Sequence, residues 1–261
     1  MKNFATTLFT IAFVLVVSLA CKKSNDDAPA PSPNTDPTLH DRVEKKWDVT
    51  PPATGRIAEG SSDYTSFEFT DEGKYFIIKA DKSQLKGNFT LNVGDSILTL
   101  DGLGTIYIDE ITETKITFRL VWAGSSDETT VKAEPASTLS TSNGTGELVG
   151  SWSIKKRTIN GVAETAFDEA FSTGGSYMHV TLTNYGTYSI ETNVPGTASK
   201  VGIWKWCTPA ETTISTSNDP EIEPACTPNS VAIVSFKDGN LVLTNVFNSQ
   251  TLVDTYVPKP E

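Results

Sequence analysis

Two segments of the chain carry the same order of strand and turn residues. Each segment has a tryptophan, then an aromatic strand with a glycine turn, and then a glycine two residues before a large aromatic residue. These features lie at Trp47, 67–77 and 87–89 in the first segment, and at Trp152, 180–190 and 202–204 in the second. A repeat of this length predicts two domains of one kind rather than one larger core.

Apolar and polar residues alternate inside both segments. Residues 43–49 alternate in this way, and Ile116, Phe118, Leu120 and Trp122 form a longer apolar face. Such alternation is expected when one face of a sheet is buried and the other is solvated. The pattern therefore predicts β-strands along most of the chain.

Turn residues separate the predicted strands. Asp238-Gly239 lies between the apolar runs 231–236 and 241–247, and this dipeptide favours a tight hairpin. One short helix is predicted at residues 164–171, where apolar residues fall at helical spacing. The sequence thus predicts an all-β fold of two small antiparallel β-barrel or sandwich domains in tandem.

Composition places the boundaries of these domains. Residues 1–20 are predicted to be a signal peptide. Residues 21–40 are predicted to be a flexible tether, because their proline and polar residues bury too little apolar surface to offset the entropy of ordering. The first β domain is predicted at 41–132 and the second at 146–258. A linker rich in Ser, Thr, Pro and Gly, residues 133–145, joins them.

The N-terminus has the pattern of a secretory signal. Lys2 precedes a mainly apolar run over residues 4–19, and Ala20 is a small residue at the predicted cleavage point. The run is shorter than the roughly 20 residues that a spanning helix needs. An N-terminal membrane helix, or an ordinary signal peptide with a chance cysteine, is the alternative. Cys21 directly after the cleavage point resembles the lipobox of bacterial lipoproteins, which implies that Cys21 carries the lipid.

The net charge restricts the partners of the chain. Without residues 1–20 it has 20 Lys+Arg against 32 Asp+Glu, a net charge of −12. This charge repels phosphates, so no nucleic-acid partner is expected, and the lipid on Cys21 is expected to provide the membrane attachment. Residues 24–27 resemble the acidic export signal of surface lipoproteins in Bacteroidetes. That resemblance implies the cell-surface side of the outer membrane, with a periplasm-facing leaflet as the alternative.

Two cysteines remain once Cys21 is assigned to the lipid. Cys207 and Cys226 then form a natural pair, and a disulfide is expected because the envelope outside the inner membrane is oxidising. Metal binding is the alternative, but no histidine or third cysteine lies near them in the sequence. No metal site is therefore predicted.

The second segment resembles a known family. Gly150-Ser151-Trp152 matches the Gly-x-Trp signature of lipocalins. The later order of aromatic strand, glycine turn, Gly-x-Trp, hairpin and closing strand resembles the lipocalin-like lipoproteins of Bacteroidetes. The first segment differs, because Lys45-Lys46-Trp47 lacks the glycine. The resemblance implies lipocalin-like barrels and, as a function, transport of a ligand.

Three tryptophans are the candidate ligand-binding residues. Trp204 and Trp206 point the same way on a strand, and with Trp152 they could line an apolar cavity for a small hydrophobic molecule or a glycan. The alternative is that all three fill the floor of the barrel. The corresponding function would then be structural or accessory, with an outer face that contacts a protein partner.

No catalytic residues are predicted. The chain has two histidines, His40 and His179, and it lacks the common nucleophile, zinc-protease and phosphate-loop motifs. An enzyme is therefore not expected, and no cofactor is predicted. Asp95-Ser96-Ile97 matches a pattern on which envelope proteins of Bacteroidetes resemble one another as O-glycosylation sites, which makes Ser96 a possible site of modification.

Overall fold

The first barrel is an eight-stranded antiparallel sheet whose strands follow one another along the chain. In the computed structural model, which describes residues 37–50, 63–139, 142–220 and 222–260, the barrel closes because β1 pairs with both β2 and β8. Its strands are β1 Lys46–Val49, β2 Tyr64–Phe69, β3 Lys74–Lys79, β4 Gln84–Asn92, β5 Ile97–Leu100, β6 Gly104–Ile111, β7 Ile116–Trp122 and β8 Glu128–Pro135.

The second barrel repeats this design. It closes because β9 pairs with both β11 and β17, and the short β10 pairs only with β9. Its strands are β9 Gly150–Ile159, β10 Val162–Ala163, β11 Met178–Leu182, β12 Thr187–Thr192, β13 Lys200–Trp206, β14 Thr213–Ser217, β15 Val231–Lys237, β16 Asn240–Phe247 and β17 Gln250–Pro258. The predicted all-β fold with two barrels in tandem is confirmed.

Each barrel is preceded by a short helix that packs against its first tryptophan. Helix α1 spans Pro37–Val43 and helix α2 spans Asn143–Leu148. The Trp47 indole Nε1 donates to the Val43 carbonyl oxygen at 3.2 Å, and the Trp152 Nε1 donates to the Leu148 carbonyl oxygen at 2.9 Å. The two tryptophans of the sequence repeat therefore hold equivalent positions.

The glycine turns of the repeat are also equivalent. In the first barrel, the Gly73 amide donates to the Thr70 carbonyl at 3.0 Å and the Gly73 carbonyl accepts from the Phe89 amide at 2.7 Å. In the second barrel, Gly186 makes the same two bonds, with the Thr183 carbonyl at 3.1 Å and with the Trp204 amide at 2.7 Å. These matched bonds show that the repeat in the sequence is a repeat of structure.

A glycine lies beneath a tyrosine ring in both barrels. Gly87 is the strand partner of Tyr75, and Gly202 is the strand partner of Tyr188. A Cβ atom at Gly87 would lie 2.7 Å from the Tyr75 ring, and one at Gly202 would lie 2.6 Å from the Tyr188 ring. Only a residue without a Cβ allows the ring to lie flat over the neighbouring strand.

The N-terminal boundary differs from the prediction. Residues 1–36, which include the predicted signal peptide, Cys21 and most of the predicted tether, lie outside the described residues. The last four residues of that tether, 37–40, belong to α1, and Leu39 and Val43 are buried in the first core. Residues 43–49 were predicted as one strand, but Val43 ends the helix and β1 begins at Lys46. Leu39 and Val43 are four residues apart, so they lie on the same face of a helix.

Two other local predictions are confirmed. Helix α3 spans Thr165–Ser172, within one residue of the predicted helix. The Asp238-Gly239 turn connects β15 to β16, and both residues have positive φ, at 54° and 76°, as a tight two-residue hairpin requires.

The two barrels pack together through polar side chains. Lys74 Nζ donates to Ser151 Oγ and to Thr181 Oγ1, both at 2.7 Å, and Lys86 Nζ donates to the Ile190 carbonyl oxygen at 2.6 Å. Burial is the main reason that the pKa of each of these lysines is lowered. The described residues from α1 onward accordingly form one compact unit.

Candidate functional site

The second barrel contains an internal cavity of about 190 Å³. Six apolar side chains from five strands form its wall: Val180 and Leu182 of β11, Ile190 of β12, Ile214 of β14, Ala232 of β15 and Leu243 of β16. All six lie on the inward face of their strands, because alternate side chains of each strand point into the barrel.

Polar groups also line this cavity. Lys200, Thr216, Ser230 and Asn245 contribute to its lining. No ion pair or hydrogen bond of the Lys200 ammonium is found within the described part of the chain. The cavity therefore combines an apolar wall with one unpaired cation, an arrangement that suits a ligand with an apolar body and a negatively charged group.

Two tyrosines contribute to the lining of the same cavity. The Tyr188 hydroxyl donates to the Asn218 Oδ1, and burial raises the pKa of Tyr188. Burial also raises the pKa of Tyr256, and the nearby Asp254 charge adds to that shift. Both phenols therefore stay neutral at physiological pH and present hydroxyl dipoles rather than charges to the cavity.

The predicted tryptophan residues lie elsewhere in the barrel. Trp204 is 1% exposed and its Nε1 donates to the Thr183 carbonyl oxygen at 3.0 Å, while the Trp206 Nε1 donates to Thr145 Oγ1 at 2.9 Å. Both rings pack in the core with Trp152 and Leu148, next to α2. None of the three tryptophans lines the cavity, so they fill the floor of the barrel.

The sequence contained part of the signal for the cavity-lining residues. Alternation along β11, β12 and β16 identifies Val180, Ile190 and Leu243 as members of an inward face. It does not reveal that these side chains leave unfilled space, because space depends on the summed volumes of residues from several strands. The large indoles are easier to recognise in the sequence than the aliphatic residues, but they do not line the cavity.

Helix α3 completes the barrel wall between β9 and β11. The Arg157 amide in β9 donates to Asp168 Oδ1 of the helix at 2.9 Å, so a side chain takes the place of a neighbouring strand. The Arg157 guanidinium lies 4.3 Å from the centre of the Phe167 ring and forms two bonds with Asp254, at 2.7 and 2.9 Å. These contacts fix α3 against the sheet.

Cys207 and Cys226 form the predicted disulfide. It joins the end of β13 to the loop before β15 and closes a segment with a sequence separation of 19. Ser96, the predicted glycosylation site, lies half-buried in the turn between β4 and β5. Glycosylation at Ser96 stays a prediction.

The two histidines occupy different environments. His40 Nδ1 lies 2.6 Å from Glu44 Oε1 in the first barrel. His179 Nδ1 lies 2.8 Å from Ser153 Oγ, and burial followed by the Lys259 charge lowers the pKa of His179. Nucleophilic catalysis by a Ser–His pair also needs a group that orients the histidine, and within the described residues no hydrogen bond to the other ring nitrogen is found. The prediction of no enzymatic activity stays a prediction.

The described residues show neither a metal-ligand cluster nor a membrane-spanning helix. Residues 37–50, 63–139, 142–220 and 222–260 contain no group of three or more His, Cys, Asp or Glu side chains arranged to hold a metal ion. The described helices are all too short or too polar to cross a bilayer.

No protein-family model matches the chain, and no curated protein is significantly similar to it. The similarity to lipocalin-like lipoproteins therefore stays a prediction from short motifs.

Proposed function

We propose that the chain is an envelope lipoprotein whose second barrel binds a small hydrophobic molecule non-covalently. The observation that carries this proposal is the cavity of about 190 Å³ inside that barrel. An apolar cavity of about 150 Å³ admits a benzene-sized molecule, whereas drug-sized ligands occupy roughly 300–1,000 Å³. The expected ligand is therefore small, or extends partly out of the barrel.

The chemistry of the lining favours a small carboxylic acid over a glycan. A glycan would need an exposed indole on which to stack, but Trp204 and Trp206 are packed in the floor. The wall is formed by aliphatic side chains, and Lys200 supplies a positive charge without an ion-pair partner among the described residues. A short aliphatic chain would fill the cavity while its carboxylate pairs with Lys200.

The first barrel has a supporting role in this proposal. Its interior is filled by large side chains, which include Trp47, Phe67, Phe69 and Phe118, each no more than 1% exposed. Phe67 and Phe118 pack edge to face with their ring centres 5.0 Å apart. A filled barrel favours a structural role, which corresponds to the accessory function that the sequence left open.

Membrane attachment through Cys21 is part of the same proposal. The support comes from the sequence pattern of residues 1–21, since Cys21 lies outside the described residues. Replacing Cys21 with Ser is expected to abolish incorporation of a labelled palmitate analogue and to release the protein from the membrane fraction. If the variant kept both the label and its membrane attachment, the lipid would be attached at a residue other than Cys21.

Hexanoate binding tests the barrel proposal directly. We expect hexanoate to shift the NMR signals of the Val180, Leu182 and Ile190 methyl groups in the chain from residue 22 onward. Ala232→Leu places a larger side chain in the cavity and should abolish these shifts. Lys200→Met should weaken hexanoate binding by about 10-fold and leave binding of 1-hexanol unchanged, because only the carboxylate pairs with the ammonium.

Ala123→Leu is the matched control for the cavity substitution. It makes the same change at an exposed turn of the first barrel and should leave hexanoate binding unaltered. Equal shifts in the wild type and in Ala232→Leu would place the ligand outside the cavity. An absence of shifts with both hexanoate and 1-hexanol would contradict the proposed ligand class.

A further inference from the structure

A second cavity, of about 310 Å³, lies between the two barrels. The two equivalent glycine turns of the repeat both contribute to it, through residues 70–72 from the first barrel and 183–185 from the second. The segments that lead into β1 and β9 also line it. The cavity is therefore formed by matching parts of the two barrels, which we call the inter-barrel pocket.

Charge is distributed unequally between the two sides of the inter-barrel pocket. Five carboxylates of the first barrel line it, and they are Asp41, Glu44, Glu68, Asp71 and Glu72. On the second-barrel side, the turn positions equivalent to Asp71 and Glu72 hold Asn184 and Tyr185. Glu72 pairs with Lys74 at 3.2 Å, but lysine and arginine are absent from the lining residues themselves, so the carboxyl groups of this pocket favour a cation.

Glu68 is the most deeply buried of the five carboxylates. It is 2% exposed, and neither of its carboxylate oxygens has a hydrogen-bond partner within the described residues. The Thr187 hydroxyl is also buried without a partner. An unsatisfied buried polar group is rare in native proteins, because leaving it unpaired costs the full desolvation of that group.

Among the described residues, Glu68 forms no ion pair. Burial is the largest influence and raises its pKa, while the charge of Lys46 on the neighbouring strand and the Thr183 and Thr187 hydroxyls lower it. These hydroxyls contribute without forming a hydrogen bond of normal geometry to the carboxylate. Glu68 therefore lines the inter-barrel pocket as a buried carboxyl group without a hydrogen-bond partner among the described residues.

We propose that the inter-barrel pocket binds a small aliphatic diamine, with one ammonium group on Glu68 and the other on Asp71 at the rim. An ammonium group has three donors and no acceptor, so it can pair with the two carboxyl oxygens of Glu68, which have no hydrogen-bond partner among the described residues. Asp71 is exposed at the turn and forms no ion pair with another described residue, so it can pair with the second ammonium group.

The size of the pocket and its donor atoms favour an organic cation over a metal ion. A water molecule occupies about 30 Å³ of liquid volume, so the pocket has room for a chain of several carbon atoms. The described residues provide no group of three side chains arranged for a metal ion. This ligand is independent of the molecule proposed for the second barrel, because the two cavities share only Leu182.

Calorimetric titration of the full-length chain with 1,4-diaminobutane tests the proposal, in a non-ionic detergent at constant ionic strength. We expect wild-type binding to be at least about 10-fold tighter than binding by Glu68→Gln, since each 1.4 kcal/mol changes affinity tenfold. Binding should also tighten as the pH rises, because the wild-type carboxylate then ionises. Asp127→Asn, which removes an exposed acid outside the pocket, should leave binding unchanged.

A second variant keeps the test decisive if Glu68→Gln folds poorly. Asp71→Asn should weaken binding of 1,4-diaminobutane but leave binding of 1-aminobutane unchanged, because only the diamine reaches the rim. Equal weakening by Asp71→Asn and Asp127→Asn would indicate general attraction to an acidic surface and would overturn the proposal. Equal affinity of the wild type and Glu68→Gln for the diamine would also overturn the proposal. The same holds if the wild type does not bind the diamine.

Discussion

Glu68 lies at a position on β2 where alternation predicts a solvated side chain. Its neighbours Phe67 and Phe69 point into the first barrel, so Glu68 points outward. The outward face is nevertheless buried, because the second barrel covers it with Thr183 and Thr187. Glu68 is thus a polar residue of the outward strand face that is buried at the interface between the two barrels.

The stability of the protein should therefore depend on pH through Glu68. Burial raises the folded-state pKa of this carboxyl, so the folded state binds the proton more tightly than the unfolded state. Its contribution is most favourable below the unfolded pKa of about 4.3 and is lost as pH rises through the raised folded pKa. Glu68→Gln should consequently have a higher melting temperature than wild type at pH 7.5.

Thermal unfolding of both proteins at several pH values measures this effect. The difference in melting temperature should shrink as the pH is lowered from 7.5 to about 4, where the wild-type carboxyl is protonated in both states. The other titrating groups are present in both proteins, so their contributions to the pH dependence cancel in the difference in melting temperature. A difference that is constant across this range would contradict the assignment to Glu68.

Gly202 is a residue whose role is steric. A Cβ atom at this position would lie 2.2 Å from the Ser217 carbonyl oxygen as well as 2.6 Å from the Tyr188 ring. Because Tyr188 is 4% exposed, its ring has little room to move. Gly202→Ala should therefore lower the free energy of unfolding by about 3 kcal/mol, as measured by urea denaturation.

Gly146→Ala is the corresponding control. No heavy atom lies within 4 Å of a Cβ at Gly146, which is in helix α2. Alanine favours a helix by up to about 1 kcal/mol over glycine, so this variant should be as stable as wild type or slightly more so. If Gly202→Ala and Gly146→Ala changed the free energy of unfolding equally, the close approach at Gly202 would not explain the loss of stability.

At the scale of elements, α3 substitutes for a strand along part of β9. β9 pairs with β11 over Gly150–Ser153 and with β10 at Thr158 and Ile159. At Arg157 the partner is Asp168 of the helix. The helix is therefore part of the barrel wall, and its attachment relies on the Arg157–Asp254 pair and on the packing of Phe167 against the guanidinium.

Asp254→Ala should destabilise the second barrel. Asp254 is 5% exposed and forms two hydrogen bonds with Arg157. Removing one partner of a buried ion pair is unfavourable by about 3–5 kcal/mol, and partial exposure of Arg157 should reduce this loss to about 2 kcal/mol. Urea denaturation, with hydrogen exchange of the α3 amides, measures the loss and locates it.

The exposed pair of Arg119 with Asp109 provides the comparison. Both side chains are 39% exposed, and the pair lies on the first barrel. Asp109→Ala should barely change the midpoint of urea denaturation, since solvent screens exposed ion pairs. An equally small effect of Asp254→Ala would mean that the Arg157–Asp254 pair does not hold the helix.

At the scale of the whole molecule, the two barrels are coupled through an interface that is partly apolar. Phe76 of β3 points away from the first barrel core, yet it is 2% exposed. It lines a small cavity together with Lys86, Thr181 and Ser189. Burial of Phe76 and the lysine hydrogen bonds should make the two barrels unfold together.

Phe76→Ala should separate the unfolding of the two barrels. Loss of a buried phenylalanine is unfavourable by about 3–5 kcal/mol, and here the lost contacts lie at the interface. We expect one transition for the wild type and two for the variant in scanning calorimetry. Phe247→Ala, at a 60% exposed position, should retain a single transition, and a single transition in Phe76→Ala would contradict the coupling.

Much of the fold could be predicted because its signals are local. Alternation in 116–122, the hairpin at Asp238-Gly239 and the helix at 164–171 each depend on neighbouring residues, and all three are present. The repeat marked by Trp47 and Trp152 predicted two barrels. The helical state of residues 37–43 was missed because Leu39 and Val43 gain their burial only from the first barrel core.

The candidate site could be predicted less well, because it depends on distant residues. The indoles of Trp204 and Trp206 lie in the barrel that contains the cavity but do not line it, because its space is left by side chains from seven strands. Nothing near Glu68 in the sequence indicates that it lies opposite Thr187, 119 positions further along the chain.

The sequence by itself determined the strands, the turns, the repeat and the cysteine pair, since these follow from side-chain periodicity, glycine geometry and composition. Only the tertiary structure decided which polar faces are buried and where space remains. The physical reason is that burial and volume are properties of surfaces brought together by the fold. Val180 and Leu243 enclose a cavity, and Glu68 meets Thr187, only after both barrels have closed and packed.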